Sequence, residues 1–262
     1  MQIHPTAIID AGAVLGPNCT IGPFSIIEDG VTLGEGCQIA SHVVIRRGTQ
    51  IGAKARIDSF TVLGGDPQSI GFDSSVESGV RIGKNAVFRE SCTVHRSMYA
   101  DKETIVGDDC YFMAQSHAAH DCMLGNGIVL ANSVHLGGHV EVGDKCFLGG
   151  LSGVHQNTRI GAYTIVGSCA FITLDVPPCL MVTERNVVNG LNRVGLKRLG
   201  FDVGILKDLK ACYRTVYSGA LNLKVLAAEA KANPELGTGL LGTQFLDFFE
   251  VGKRGFARPK NG

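Results

Sequence analysis

Five of the eight histidines in this 262-residue chain fall between positions 117 and 155: His117, His120, His135, His139 and His155. Most stand in short runs with other groups of chemical use, namely His117-Ala118-Ala119-His120-Asp121, Gly137-Gly138-His139 and Val154-His155-Gln156. Imidazole titrates near neutrality, so a well-placed histidine can take a proton from a reacting group and return it. A single histidine is usually an ordinary surface residue. These runs acquire meaning only if the fold gathers them, whereas His4, His42 and His95 read as ordinary residues.

The elements that must position them follow a beat of six. Counting from Ile3 meets Ile9, Leu15, Ile21, Ile27, Leu33, Ile39, Ile45, Ile51, Ile57 and Leu63 without a miss. The beat resumes at Ile82, Phe88 and Val94, then runs from Val106 through Ala118, Leu136 and Val154 to Ile172. A helix needs spacings of three and four and a half-buried strand alternates in twos, so neither fits. Short hexapeptide repeats instead mark a β-helix, in which each turn stacks on the next and buries a continuous interior.

Within the hexad, the second position is often glycine, as at Gly16, Gly34, Gly107 and Gly143. That suits a corner where a side chain would clash or where φ turns positive. The fifth position is small, and Cys19, Cys37, Cys92, Cys110, Cys122 and Cys146 all occupy it. These cysteines read as small buried hydrophobes, not as metal ligands or redox centres. None of the nine cysteines forms a Cys-x-x-Cys pair.

Charge gives no hint of a polyanionic partner. Lysine plus arginine balance aspartate plus glutamate at 24 each, so no overall basic field points to nucleic acid or an anionic membrane. No run of about 18 apolar residues suggests stable membrane insertion, and the start, Met1-Gln2-Ile3-His4-Pro5, lacks a basic segment followed by an apolar one. A cytoplasmic location is the expectation.

Two segments interrupt the beat, Gly64 to Arg81 and His95 to Ile105. Insertions of this kind leave the coil and often shape a binding face. Beyond Pro177-Pro178 the hexads stop and the pattern turns helical, with Asp202 capping a helix through Tyr217, a second helix over Leu223 to Lys231 and a third over Leu240 to Glu250. Phe245, Phe248 and Phe249 read as core. The expected division is a β-helix domain over residues 1–190, with insertions at about 64–81 and 95–105, and a helical domain over 191–262.

The hexads, the three histidine runs, Asp175-Val176-Pro177-Pro178 and Gly195-Leu196-Lys197-Arg198 together make the chain resemble the UDP-N-acetylglucosamine O-acyltransferase family. Members of that family open lipid A biosynthesis. The resemblance covers nearly the whole chain. It implies a left-handed parallel β-helix with a C-terminal helical domain, assembled as a homotrimer with active sites between subunits. It further implies transfer of an R-3-hydroxyacyl group from acyl carrier protein to the 3-hydroxyl of a UDP-amino-sugar, without metal or other cofactor.

With three hexads to a coil, as the resemblance implies, residues eighteen apart stack at about 4.8 Å. His120 then falls under Gly138 and Gln156, Asp121 under His139 and Asn157, and His117 under His135. By matching, His120 is the general base and the Gly138 backbone N–H the oxyanion donor. Asp121 is expected to hold the imidazole in the useful tautomer, although neighbours on a strand point to opposite faces. Gln68, His117, His139, His155 and Gln156 are expected at the sugar nucleotide or acyl chain. Asn192 and Arg198 are expected at the nucleotide phosphates of an adjacent subunit, and Ser168 at the position that sets acyl length.

Three departures bear on specificity. Pro67-Gln68 is followed by Ser69-Ile70-Gly71 where the family continues Asp-Leu-Lys, so a charged contact is missing. Thr183-Glu184-Arg185-Asn186-Val187 replaces a glycine-asparagine pair followed by histidine or proline. Ser168 stands where glycine admits longer chains and bulky residues shorter ones. A 3-amino UDP-sugar acceptor giving an amide, or another acyl donor, therefore stays open. So do two further readings, a zinc enzyme of the γ-type carbonic anhydrase kind, which shares the solenoid but carries His-x-x-x-x-His, and a non-catalytic scaffold.

Overall fold

The computed structural model describes residues 1–218, 222–252 and 254–260. The beat of six becomes a coil of three short strands. Each strand spans the sixth and first positions of a hexad, as at Thr20–Ile21, Ile26–Ile27 and Thr32–Leu33. Residues eighteen apart pair in parallel, Gln2 with Thr20 and His117 with His135. Among the described residues the strands form three sheets of twelve, nine and eight members. The chain is a left-handed parallel β-helix.

Period determines burial. First-position residues such as Ile57, Leu63, Phe88, Leu130 and Val166 are fully buried, and so are the fifth-position residues Cys37, Ala55, Ala86 and Ser116. The sixth position faces outward. The six repeat cysteines lie inside with small serine, threonine and alanine counterparts. Their thiols donate along the stack, from Cys19 to the Gly34 carbonyl at 3.2 Å and from Cys146 to that of Gly161 at 3.1 Å. Ser25 donates in the same way to the Ala40 carbonyl. Burial pushes the Cys122 and Cys146 thiols up to about 12, which suits filling rather than reactivity.

The corners separate the two roles expected of glycine. A Cβ on Gly34 would stand 2.5 Å from the Ala53 backbone nitrogen, so clash with the next coil explains the second position. Positive φ is not needed there. It falls two residues later, at the fourth position, where Asn18, Lys54, Asp121 and His139 adopt φ of 61°, 58°, 60° and 59°.

Both insertions are shorter as loops than the broken beat suggested. Strands Val62–Gly65 and Gly79–Ile82 run into the first, leaving residues 66–78. Strands Thr93–His95 and Glu103–Val106 flank the second, leaving 96–102. Across them the register lengthens, with Arg56 opposite Val87 and Thr93 opposite His117.

The segment after Pro177-Pro178 is not yet helical. Leu180–Thr183 extends the twelve-stranded sheet, and Val187–Leu191 folds back on it antiparallel. Helix α1 (Arg193–Arg198) then begins under an Asn192 cap, followed by α2 (Val203–Tyr217), α3 (Leu223–Ala232) and α4 (Leu240–Asp247). The Asp202 side chain accepts from the Ile205 N–H and so caps α2. Phe245 and Phe249 are buried beside Tyr217. The chain finally returns to the sheet, where Arg258–Pro259 pairs with Val187 and Val188. Among the described residues no helix is long and apolar enough to cross a membrane.

Candidate active site

His120 and Asp121 lie in a corner, not on a strand, and this removes the objection to their meeting. The left-handed φ of Asp121 turns its side chain back to its neighbour, and His120 Nδ1 is 2.8 Å from Asp121 Oδ2. An ionised carboxylate only accepts, so this contact selects the Nδ1–H tautomer and leaves Nε2 free to take a proton. Burial acts to raise the Asp121 carboxyl, but hydrogen bonds from Ser97, His120 and the Met98 amide outweigh it and hold the group below its ordinary range. The Thr104 hydroxyl also accepts from the Asp121 N–H at 2.7 Å.

Gly138 sits one coil above. A Cβ there would stand 2.6 Å from His120 Nε2, so the basic nitrogen occupies the space that the absent side chain vacates. The Gly138 carbonyl accepts from the Asn157 N–H, while its own N–H makes no hydrogen bond among the described residues. His120 Nε2 thus lies against Gly138, whose backbone N–H has no hydrogen-bond partner among the described residues. His139, at the corner above Asp121, packs edge-on against His120 with ring centroids 5.1 Å apart, and its Nε2 is 3.8 Å from Asp121 Oδ2.

His117 is brought to the same region on the nine-stranded sheet. Its Nδ1 is 2.7 Å from the Thr93 hydroxyl, with the His95 ring on one side and His135 on the other. Burial, then the neighbouring His95, His135 and His120, push it down to about 4, so it is neutral at physiological pH. His95, expected to be ordinary, is buried in this column. His155 lies on the coil above His139, its Nδ1 3.2 Å from the Gln156 carbonyl. His139, His155, Asn157, Thr173, Arg185 and Arg254 line a cleft of about 1030 Å³ that rises from the histidines toward the helical part.

The remaining expected residues stand apart. Gln68 is exposed on the first loop, Ser168 on a corner near the top of the coil, and Arg198 in the last turn of α1. Asn192 is 5% exposed, and its amide is occupied, donating to the Tyr163 carbonyl and accepting from the Gly195 N–H. Its side chain caps α1 and does not point outward. Sequence reasoning missed Ser97, Thr93 and Thr104. Ser97 and Thr93 meet Asp121 and His117 across an insertion, 24 residues on, where counting in eighteens no longer pairs residues, and Thr104 meets Asp121 seventeen on, one short of that count.

His120, Asp121 and His139 place ligand atoms within 4.8 Å of one another, a grouping that could hold a cation. It has two imidazoles and a carboxylate, unlike the three histidines of a γ-type carbonic anhydrase, and both carboxylate oxygens already accept from Ser97, Met98 and His120.

Known proteins are similar to this chain over most of its length. Residues 175–257 match the model described as UDP N-acetylglucosamine O-acyltransferase, domain 2, and residues 12–47 the bacterial transferase hexapeptide model. An acyl-[acyl-carrier-protein]–UDP-N-acetylglucosamine O-acyltransferase of Verminephrobacter eiseniae is 45% identical over 233 residues, 88% of each chain. One from Anaeromyxobacter sp. (strain K) is 42% identical over 98% of this chain and 100% of its own. The solved UDP-N-acetylglucosamine acyltransferase of Francisella novicida superposes with a TM-score of 0.93 at 33% identity, covering 99% of this chain and 95% of that one. The zinc-enzyme and scaffold readings are thereby set aside: the chain is an acyltransferase belonging to the acyl-[acyl-carrier-protein]–UDP-N-acetylglucosamine O-acyltransferase family.

Proposed function

We propose that this chain transfers an R-3-hydroxyacyl group from the thioester of acyl carrier protein to the 3-hydroxyl of UDP-N-acetylglucosamine, the first step of lipid A biosynthesis. The observation that carries the reading is His120 Nε2 packed against Gly138, whose N–H has no hydrogen-bond partner among the described residues. The sugar hydroxyl gives its proton to Nε2 as its oxygen attacks the thioester carbon. The tetrahedral oxyanion is held by the Gly138 N–H, and Asp121 stabilises the imidazolium. Collapse breaks the C–S bond, and the proton passes from His120 to the departing sulfur, giving an ester and the free carrier thiol. This route uses no protein nucleophile and no cofactor.

In the same reading Gln68, His117, His139, His155 and Gln156 contact the sugar nucleotide or acyl chain, and Ser168 limits acyl length. Arg198 reaches the phosphates of a nucleotide bound to an adjacent subunit. Asn192 acts there through the helix it caps, since its own amide is buried. Two outward columns support a homotrimer. Ile8, Ile26, Val44 and Val62 line the lower nine-stranded sheet, and Val87, Tyr111, Val129, Phe147, Ile165 and Met181 line the upper twelve-stranded one. Apolar columns on different sheets suit a head-to-tail ring, which three copies close. The cytoplasm, where acyl carrier protein is found, is the place for this reaction.

The test offers purified protein acyl-carrier-protein donors of several chain lengths with UDP-N-acetylglucosamine and its 3-amino analogue. Ester formation is expected. Turnover of the amino analogue alone would reassign the acceptor, and turnover of neither would overturn the reading.

A further inference from the structure

We infer that Arg96, Ser97 and Met98 form a positioning clamp that couples the first loop to the catalytic histidine, an inference resting on the function proposed above. Arg96 is 6% exposed although it carries a full charge at the edge of an insertion. Its guanidinium holds both ends of loop 66–78. Nε donates to Asp66 Oδ1 at 2.8 Å, Nη2 to the Ser74 carbonyl at 2.9 Å, and Nη1 to the Val76 carbonyl and to Ser78 Oγ. It also lies 5.0 Å from the centroid of the Phe72 ring, in the middle of the loop. The tip, Gln68 to Ile70, carries the fully exposed Ile70.

The next two residues turn the other way. Ser97 Oγ donates to Asp121 Oδ1, and the Met98 N–H donates to Asp121 Oδ2 at 3.2 Å. That carboxylate is the one on His120 Nδ1. Ser78 Oγ closes the connection by donating to the Ser97 carbonyl at 2.6 Å. One peptide unit therefore separates the group that holds the Gln68 loop from the group that holds the imidazole. A planar fork with five donors suits such a task, and lysine cannot reproduce it. In this chain the loop lacks the lysine expected after Gln68, so its placement depends more heavily on the tether behind it. Arg96 and Ser97 are positioning residues that act through Gln68 and Asp121.

The test measures kcat and the KM for UDP-N-acetylglucosamine in Ser97→Ala, Arg96→Gln and the double variant. Hydrogen exchange of residues 66–78 is followed in parallel, because it needs no substrate. Misplacement by about 1 Å can cost roughly a hundredfold in rate, so a smaller shift should cost less. Ser97→Ala should lower kcat about tenfold with KM nearly unchanged, whereas Arg96→Gln should raise KM about tenfold and lower kcat by less. If Arg96 acts on chemistry through Ser97, the double variant should lose no more kcat than Ser97→Ala alone. Multiplying kcat losses would overturn the coupling. Unchanged KM and unchanged exchange over 66–78 in Arg96→Gln would overturn the tether. Should Arg96→Gln fail to fold, Asp66→Asn removes one prong of the fork and gives the same KM and exchange readouts. Absence of wild-type turnover would count against the proposed function, while the exchange experiment would still judge the tether.

Discussion

A Cβ on Gly138 would lie 2.5 Å from Cε1 and 2.6 Å from Nε2 of His120, so the glycine and the imidazole share one space that only hydrogen leaves open. Gly138→Ala should therefore displace the imidazole proposed as the base. A loss of about 10²- to 10⁴-fold in kcat is expected, the range for removing a general base. The melting temperature should change little, because the methyl meets a side chain and not the backbone of the next coil. Activity within threefold of wild type would show that Nε2 is not the working atom.

Removing the imidazole by His120→Ala should abolish transfer while leaving the elution volume on gel filtration unchanged. Asp121→Asn presents an amide whose N–H can face Nδ1 and favour the wrong tautomer. A fall of roughly 10³- to 10⁴-fold in kcat is expected, as for other oriented histidine–carboxylate pairs. Retention of most activity in His120→Ala would remove it as the base.

The neutral His117 makes stability depend on acid. Its imidazole is pushed down to about 4 in the fold, whereas in the unfolded chain it titrates near 6.5. Between those values the unfolded state holds the extra proton, so stability falls as pH drops from about 6.5 toward 4 and then levels off. His117→Gln should flatten this fall, narrowing the difference in unfolding free energy between pH 7 and pH 5 by about 2 kcal/mol. Urea midpoints at the two pH values measure it, and an unchanged difference would assign the acid sensitivity elsewhere.

Thiol labelling should divide the nine cysteines sharply. Cys169 is exposed on a corner, while the other eight are buried. Burial pushes Cys179 up to about 12 and Cys212 to about 11. Under native conditions one thiol per chain should react rapidly with a maleimide, and all nine only after denaturation. Fast labelling of any repeat cysteine would contradict the packing of the interior.

The interior was legible in the sequence because its period is regular: each beat of six returned an aliphatic residue to the same side. The same counting fails where the coil length changes. Ser97 and Asp121 meet, as do Thr93 and His117, across a register of 24, so a count of eighteen paired neither. Near the top, Ile165 pairs with Met181, sixteen residues on, and the shortened coil hid the strand Leu180–Thr183 behind an apparently helical stretch. His120 and Asp121 looked opposed only under the alternation of strands, which a left-handed corner does not obey. Asn192 was recognisable by position, but its amide is also taken up by the Tyr163 carbonyl, which no local pattern connects to it.

The fourth position of the hexad carries one more consequence. An L-residue held at positive φ costs about 1–2 kcal/mol, since that torsion suits its mirror image better. Asp121 and His139 bear this cost, but so do Asn18, Lys54 and Asn157, at nearly the same angle and with no chemistry assigned to Asn18 or Lys54. The corner of His120 and Asp121 thus contains no backbone torsion that the scaffold does not already tolerate elsewhere. What distinguishes this corner is its side chains and the inserted segment that brings Ser97 and the Met98 N–H to Asp121, not an unusual turn.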